Sequence, residues 1–357
     1  MLIQNRAGMV QTVTGLIPPE DLGVTMTHEH ILSNAGVLIP PPPQASLRAL
    51  HSAPPTLETL AYSRNYSDVV HVVEDVVLLD IPTAIDEVML YKQFGGDSLV
   101  DCSSIGLGRD PLGLARISRA TGVNIVMGAS YYVAVSHRPD MDALSEDAIV
   151  EQIVRDVTEG VDGTGISSGV IGEVGCTYPL TDNERKVLRA SGRAQRLTGA
   201  PLLIHPGRDV TAPLQNLEVL VEGGADPANV IMGHLDRTFV DFEEFRRVAE
   251  AGCFVEWDLI GEERSFYDGN PRFDMPTDAT RMDQIAWVIS EGYGDRVLVA
   301  HDLAYKHRLM RYGGHGYGYI LAHLVPRMRD RGISDEALHG ILVDNPGRAL
   351  AFAEPRL

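Results

Sequence analysis

Eight short apolar segments recur along the chain, each followed by a stretch of helical character, and this rhythm limits the possible folds more than any other feature. They lie near residues 24–30, 98–104, 124–130, 168–175, 201–206, 229–235, 253–259 and 296–302. Near-continuous apolar runs, without strict alternation, indicate strands buried on both faces, as in a parallel sheet covered by helices. Eight strand-then-helix units predict an α/β fold of the closed (β/α)8 type, a TIM barrel.

The segments between the strands have recognisable helix ends. Thr181 and Glu184 predict a capping box, and Gly199 predicts the end of the same helix. An open doubly wound sheet would usually carry a glycine-rich phosphate loop after its first strand, whereas here the sequence HEH stands at 28–30. Further helices are predicted near residues 82–94, 110–121, 144–159, 212–222, 241–252, 278–292 and 318–331.

We expect the 357 residues to form a single domain, with an N-terminal extension at about 1–22 and a C-terminal capping segment at about 334–357. The tail should contain a final helix that ends near residues 344–346. Two long connections, 31–81 and 260–277, follow the first and seventh strands. At the C-terminal face of a barrel such connections wall the site or cover it as lids, although decorative loops remain the alternative.

Charge and composition narrow the classes of partner. A net charge of −19 argues against nucleic acid or an anionic membrane. Cys102, Cys176 and Cys253 are too few and too apolar in context for a disulfide framework, which favours a reducing compartment. The N-terminal residues do not resemble a signal peptide, and no run approaches the ~20 apolar residues of a membrane span. We therefore expect a cytoplasmic protein that acts on a small molecule.

Side chains able to bind metal ions follow five of the apolar runs. A single histidine or acid at such a place is more often a hydrogen-bonded core residue or a helix cap, but the joint pattern predicts a metal site. In a strand, a spacing of two directs His28 and His30 to the same side. Imidazole and carboxylate suit zinc, with manganese or cobalt as alternatives, and the number of ligands fits a two-metal hydrolytic centre. The six candidates are His28, His30, Glu173, His205, His234 and Asp302.

Five segments carry a resemblance to a known family: VQTVTGLIPPEDLGVTMTHEHIL, SGVIGEVGC, APLLIHPGRD, IMGHLDRT and VLVAHDLAYK. They resemble the phosphotriesterase family of the amidohydrolase superfamily, most closely its phosphotriesterase-related branch, from about residue 10 to residue 350. The resemblance implies a (β/α)8 barrel with two divalent ions and, for many members, a homodimer. It implies that His28, His30 and Asp302 hold the first ion, that His205 and His234 hold the second, and that Glu173 replaces the bridging carboxylated lysine of many members.

These ligands predict a metal-dependent hydrolase. Two cations sharing a water lower its pKa from ~15.7 towards neutrality and supply a bridging hydroxide as nucleophile. Asp302 is predicted to be both a ligand and the general acid/base, with a ligand-only role as the alternative. Asp236 is a candidate to orient a ligand or relay protons, while His301 and Glu29 are expected to be structural.

Substrate contacts are predicted on the loops after the strands. Tyr131 or, as we favour, Tyr132 could lean over the metals, with rim packing as the alternative. Arg237, Arg264 and Lys306 follow three different strands and could bind an anionic tail, or could be solvated.

The segment after the seventh strand bears on the substrate. Lactonases of the family carry Asp-Arg-Tyr-Gly there, whereas this chain has Asp258-Leu259-Ile260-Gly261. The missing arginine favours the related branch, which is linked to small N-acyl amides such as N-acetyltaurine. The sequence thus predicts hydrolysis of a small amide or ester, in particular an N-acyl amide with an anionic tail. Lactonase activity, phosphotriesterase activity and a non-catalytic ligand-binding barrel are the alternatives.

Overall fold

The computed structural model describes residues 6–67, 69–263, 267, 269–270 and 273–356. Eight parallel strands form one sheet in chain order, and the backbone N–H of Asp302 donates to the carbonyl oxygen of His28 over 3.1 Å where the first and last strands meet. The predicted (β/α)8 barrel is confirmed. Its strands are β1 Thr25–Glu29, β2 Ser98–Asp101, β3 Asn124–Ala129, β4 Val170–Gly175, β5 Leu202–His205, β6 Val230–Met232, β7 Phe254–Trp257 and β8 Val297–Val299.

Helices surround this barrel, and each predicted helix has a counterpart. The predicted capping box is present: the Thr181 hydroxyl accepts from the backbone N–H of Glu184, and Gly199 ends that helix in a left-handed conformation. The α-helices are α1 Ala45–His51, α2 Leu57–Asn65, α3 Ile81–Gln93, α4 Pro111–Thr121, α5 Glu146–Thr158, α6 Asp182–Thr198, α7 Ala212–Glu222, α8 Phe242–Glu250, α9 Asp278–Val288, α10 Val325–Asp330, α11 Asp335–His339 and α12 Asn345–Leu350.

The C-terminal helical segment is longer than predicted. We expected it to end near residues 344–346, but a π-helical turn at Gly340–Asp344 leads directly into α12, which ends at Leu350. Pro346 lies near the start of α12, directly after the π-helical turn, and the helical path continues past it. The helix after β8 likewise begins with a π-helical turn, Ile320–Leu324, before α10.

The two termini pack together at the N-terminal end of the barrel. Strands Val10–Thr12 and Gly15–Ile17 form an antiparallel hairpin, and the Phe352 N–H donates to the Met9 carbonyl oxygen over 2.9 Å. Side chains from the hairpin, the barrel interior and α12 share one apolar cluster that includes Val10, Val126 and Leu350. The termini therefore close the end of the barrel opposite the strand C-termini.

The described part of the long connection after β1 has secondary structure of its own. It contains α1, α2 and a short antiparallel pair, Ser33–Asn34 with Val77–Leu78. It lies at the C-terminal face of the barrel, as predicted, and its side chains reach the cavity described below. None of the helices in the described part of the chain combines the length and the apolar character needed to cross a bilayer.

Candidate metal centre

The structure brings all six predicted ligand side chains to one point at the C-terminal face of the barrel, with Glu173 at the centre. Glu173 Oε1 lies 3.0 Å from His30 Nε2, while Oε2 lies 2.8 Å from His205 Nδ1, 3.4 Å from His234 Nε2 and 3.5 Å from His28 Nε2. Each oxygen of this carboxylate therefore faces different histidines. A carboxylate in this position can be shared between two cations.

Asp302 completes the cluster from the end of β8. Its Oδ1 lies 3.2 Å from His30 Nε2 and 3.9 Å from His28 Nε2, and Oδ2 lies 3.9 Å from His234 Nδ1. Both Asp302 and His234 have left-handed backbone, with φ of 47° and 54°. Such conformations are uncommon outside glycine and concentrate at functional sites, where the surrounding fold holds them.

These residues fit a metal centre. His28, His30 and Asp302 each offer a ligand atom within 4.8 Å of the others, and so do His28, Glu173 and His234. His28 Nε2 is buried and has no hydrogen-bond partner within the described ranges of the chain, although it faces Glu173 and Asp302. A buried polar atom without a partner is costly, and a cation between imidazole nitrogens and carboxylate oxygens would satisfy it.

The electrostatics of the cluster favour bound positive charge. Burial alone would lower the pKa of His30, but hydrogen bonds with Asp302 and Glu173 raise it to about 10. Burial alone would raise the pKa of Asp302, yet His30 and the neighbouring histidines lower it to about 2. Burial and nearby His234 hold the pKa of His205 well below its usual range, so this imidazole is neutral, as a ligand must be.

Two buried carboxyl groups on the β7 side orient the histidines. His28 Nδ1 lies 3.2 Å from Glu256 Oε2 and 3.1 Å from Asp258 Oδ2, and His234 Nδ1 lies 2.8 Å from Asp258 Oδ1. Such contacts fix the ring orientation and increase the basicity of the nitrogen that faces a metal. Neither role was predicted from the sequence, although the two acids within the apolar run CFVEWDL were the available signal.

Glu29 and His301 make the structural contacts expected of them, whereas Asp236 makes a contact that was not predicted. Glu29 Oε1 lies 2.6 Å from His301 Nδ1, and the same carboxylate accepts the backbone N–H groups of residues 301 and 303, so both side chains are structural as predicted. Asp236 Oδ2 instead accepts from Arg281 Nε over 2.7 Å and from a backbone N–H of the β7 loop. The ligand-orienting contact predicted for Asp236 is made by Asp258.

A small cavity of about 120 Å³ opens above the cluster. Tyr132 reaches it, with its hydroxyl 3.1 Å from His205 Nδ1, whereas Tyr131 lines a different cavity. Arg237 Nη2 lies 3.1 Å from His205 Nε2, and Arg237 Nη1 is buried with no hydrogen-bond partner in the described part of the chain. The lining residues are His30, Ser33, Ala35, Leu38, Ile39, Val76, Leu107, Tyr132, His205, Arg208, Arg237, Leu259, Glu262, Tyr267, Asp302, Ala304 and Tyr305.

Of the other two residues predicted to contact the substrate, Arg264 and Lys306, the structure describes Lys306, which does not line this cavity. Lys306 Nζ lies 3.2 Å from Glu74 Oε2 and lines a separate, smaller cavity, so its predicted substrate contact finds no support in this arrangement. Arg264 lies outside the described residues. Arg208 lines the cavity, and its Nε donates to the Tyr267 hydroxyl over 2.6 Å. A substrate contact was not predicted for this arginine. Its position three residues after His205 was the available signal.

A model of the phosphotriesterase family matches residues 8–350. The chain belongs to this family. It is 42% identical over 353 residues to the N-acetyltaurine hydrolase of Pongo abelii. The alignment covers 97% of this chain and 99% of that protein. The predicted family and the predicted hydrolase class are thereby confirmed, and a binuclear divalent metal centre is the family's catalytic device.

Two solved structures of this family's fold are also similar. A resiniferatoxin-binding protein from Rhodobacter sphaeroides superposes with a TM-score of 0.91 at 36% identity, covering 98% of this chain and 96% of that one. A lactonase from Listeria monocytogenes superposes with a TM-score of 0.78 at 26% identity, covering 97% and 100%. Leu259 of the segment after β7 is buried and lines the cavity.

Proposed function

We propose that this chain hydrolyses a small N-acyl amide whose amine part carries an anionic group, the class to which the substrate named for its relative, N-acetyltaurine hydrolase, belongs. Water would add across the amide C–N bond, so that the acyl carbon leaves as a carboxylate and the nitrogen leaves as a free amine. The observation that supports an anionic group on the substrate is the guanidinium of Arg237. It lies beside the cluster of proposed metal ligands, which we call the metal cluster.

Arg237 is 2% exposed, and its Nη1 has no hydrogen-bond partner among the residues that the structure describes. A buried charged donor without an acceptor is costly, and a sulfonate or carboxylate in the cavity would provide one through a charge-assisted hydrogen bond. Arg208 places a second guanidinium on the same cavity. Both arginines follow neighbouring strands, β5 and β6, so one anionic group can lie against both.

The proposed metal ligands are those predicted from the sequence. His28, His30 and Asp302 would hold one ion, His205 and His234 the other, and Glu173 would bridge them, in keeping with its contacts to four histidines. When bound, two such ions lower the pKa of a shared water and polarise the scissile carbonyl. Imidazole and carboxylate donors favour zinc, with manganese or cobalt as alternatives.

Asp302 is the proposed general acid/base. Its side chain is 17% exposed, whereas those of His30, Glu173 and His205 are 5%, 1% and 6% exposed, so Asp302 faces the cavity most directly. From there its carboxylate would accept a proton from the attacking water and deliver it to the amide nitrogen as the C–N bond breaks. The Tyr132 hydroxyl, beside His205, would position the acyl group.

The oligomeric state and the cellular location of the chain are proposals as well. Resemblance to the family favours a homodimer, which sedimentation analysis would test directly. Cys102, Cys176 and Cys253 are all buried free thiols, in keeping with a reducing compartment such as the cytoplasm. Cell fractionation with a tagged chain would test that location.

A substrate panel tests the proposed reaction. The zinc-loaded protein is assayed with N-acetyltaurine, with N-acetylethanolamine as the neutral match, with an acyl-homoserine lactone and with paraoxon. We expect the highest kcat/KM for N-acetyltaurine and loss of turnover after chelation. A lactone or triester turned over fastest would overturn the amide proposal, and no turnover of any member by the loaded protein would favour a binding-only barrel.

A further inference from the structure

The cavity above the metal cluster has two unlike walls on opposite sides of the barrel. Arg208 and Arg237 follow β5 and β6. The facing wall follows β1 and β2, which lie across an eight-stranded barrel from β5 and β6. It is lined by the apolar side chains of Ala35, Leu38, Ile39, Val76 and Leu107, and we refer to it as the apolar wall.

Contacts within the apolar wall hold it in place. Leu107 and Val76 are 2% and 3% exposed, and Leu107 packs in one cluster with Tyr132 and Leu38. The backbone is tied across the long connection, because the Ala35 N–H donates to the Val76 carbonyl oxygen over 3.0 Å. The wall is therefore held together by contacts between the connection after β1 and the loop after β2, and Ser33 lines the same cavity.

We propose that the substrate lies across the metal cluster with an aliphatic acyl group on the apolar wall and its anionic amine part on the two arginines. This inference rests on the proposed amide hydrolysis and adds a chain-length preference to it. An acetyl group offers only one methyl to a wall of five apolar residues. The preferred acyl group is therefore longer than acetyl.

The size of the cavity sets an upper limit on that acyl group. Its volume of about 120 Å³ is below the ~300–1,000 Å³ of pockets for drug-sized ligands. We therefore expect an optimum between propanoyl and hexanoyl, and poor turnover of long fatty-acyl amides. Each methylene that is buried on the wall should raise kcat/KM by about fourfold until the cavity is full.

Two chain-length series test this preference. One consists of N-acyl-2-aminoethanesulfonates with acetyl, propanoyl, butanoyl, hexanoyl and decanoyl groups. The other consists of 4-nitrophenyl esters of the same acids, which probe the acyl side whether or not an amide is the substrate. For the zinc-loaded enzyme we expect kcat/KM to rise from acetyl and to fall again at decanoyl in both series.

Variants locate the preference on the apolar wall. Leu38→Ala and Ile39→Ala should each reduce the butanoyl-to-acetyl ratio of kcat/KM by about three- to tenfold, because part of the contacted surface is removed. Val37→Ala is the matched control, since Val37 is 49% exposed, adjoins Leu38 in sequence and is not among the cavity-lining residues. Its ratio should equal that of the unmodified chain. The ratio is taken within each variant, so general loss of activity does not affect it.

The outcomes separate this inference from the proposed function. If both series decline from acetyl onwards, the inference is overturned while amide hydrolysis stands. If the esters show the optimum but no amide is hydrolysed, the amide proposal fails and the acyl-binding role of the wall is upheld. Equal butanoyl-to-acetyl ratios of kcat/KM in Leu38→Ala, Ile39→Ala and Val37→Ala would show that the apolar wall does not set the chain-length preference. That result would overturn the inference.

Discussion

Replacing Arg237 with methionine tests how the anionic part of the substrate is recognised. Methionine keeps a long side chain beside His205 but removes the guanidinium, whose buried Nη1 has no partner among the described residues. A hydrogen bond between a charged pair contributes about 1.5–3 kcal/mol. Its loss corresponds to a decrease of about 10- to 150-fold in kcat/KM for the anionic amide.

The informative quantity is the ratio of kcat/KM for N-acetyltaurine to that for N-acetylethanolamine. Both amides share the acyl group, so damage to the metal cluster lowers both values and leaves the ratio unchanged. Metal content is measured in each preparation, because Arg237 also contacts His205 Nε2 at 3.1 Å. Lys306→Met is the comparison variant, since Lys306 pairs with Glu74 and does not line the cavity.

We expect the ratio to collapse in Arg237→Met and to be unchanged in Lys306→Met. An unchanged ratio in Arg237→Met with full metal content would refute the role of Arg237 in binding the anionic group. Arg208 would then be the remaining candidate for that contact. A reduced ratio in Lys306→Met would show that the contact predicted from the sequence forms in the enzyme–substrate complex, contrary to the arrangement described above.

Three further predictions concern the metal cluster. Glu173→Gln removes the charge shared among four histidines, so elemental analysis should find clearly fewer than two ions per chain; two retained ions would contradict bridging. Asp302→Asn should keep most of the metal but lower kcat by on the order of 10²–10⁴, and near-normal turnover would remove the proton-transfer role. Glu256→Val should weaken zinc binding by about 10- to 100-fold in a chelator competition, with Glu256→Gln restoring most of it because an oxygen again faces His28 Nδ1; equal affinities for the two variants would argue against an orienting role.

Much of the fold was predictable because its signals are local. Continuous apolar runs define strands that are buried on both faces, and helix caps such as Thr181 with Glu184 are recorded in adjacent residues. The end of the C-terminal helical segment was predicted wrongly, because a proline usually ends a helix, whereas here the helical path continues from the π-helical turn past Pro346 to Leu350. A proline has different consequences at different helix positions, and its position depends on the tertiary path of the chain.

The sequence by itself also determined which side chains meet at the candidate metal centre. Parallel strands carry their C-terminal residues to one end of the barrel, so position along each strand was enough to group His28, Glu173 and Asp302. Only the tertiary structure decided which arginines face the cavity and which carboxyl groups support the ligands. Arg237 and Lys306 both follow strands, but the direction of a long side chain after a strand depends on its neighbours in space. Glu256 likewise gains its contact with His28 from the pairing of β7 with β8 and from the closure of the barrel, which brings β1 to the other side of β8. No local pattern encodes that contact.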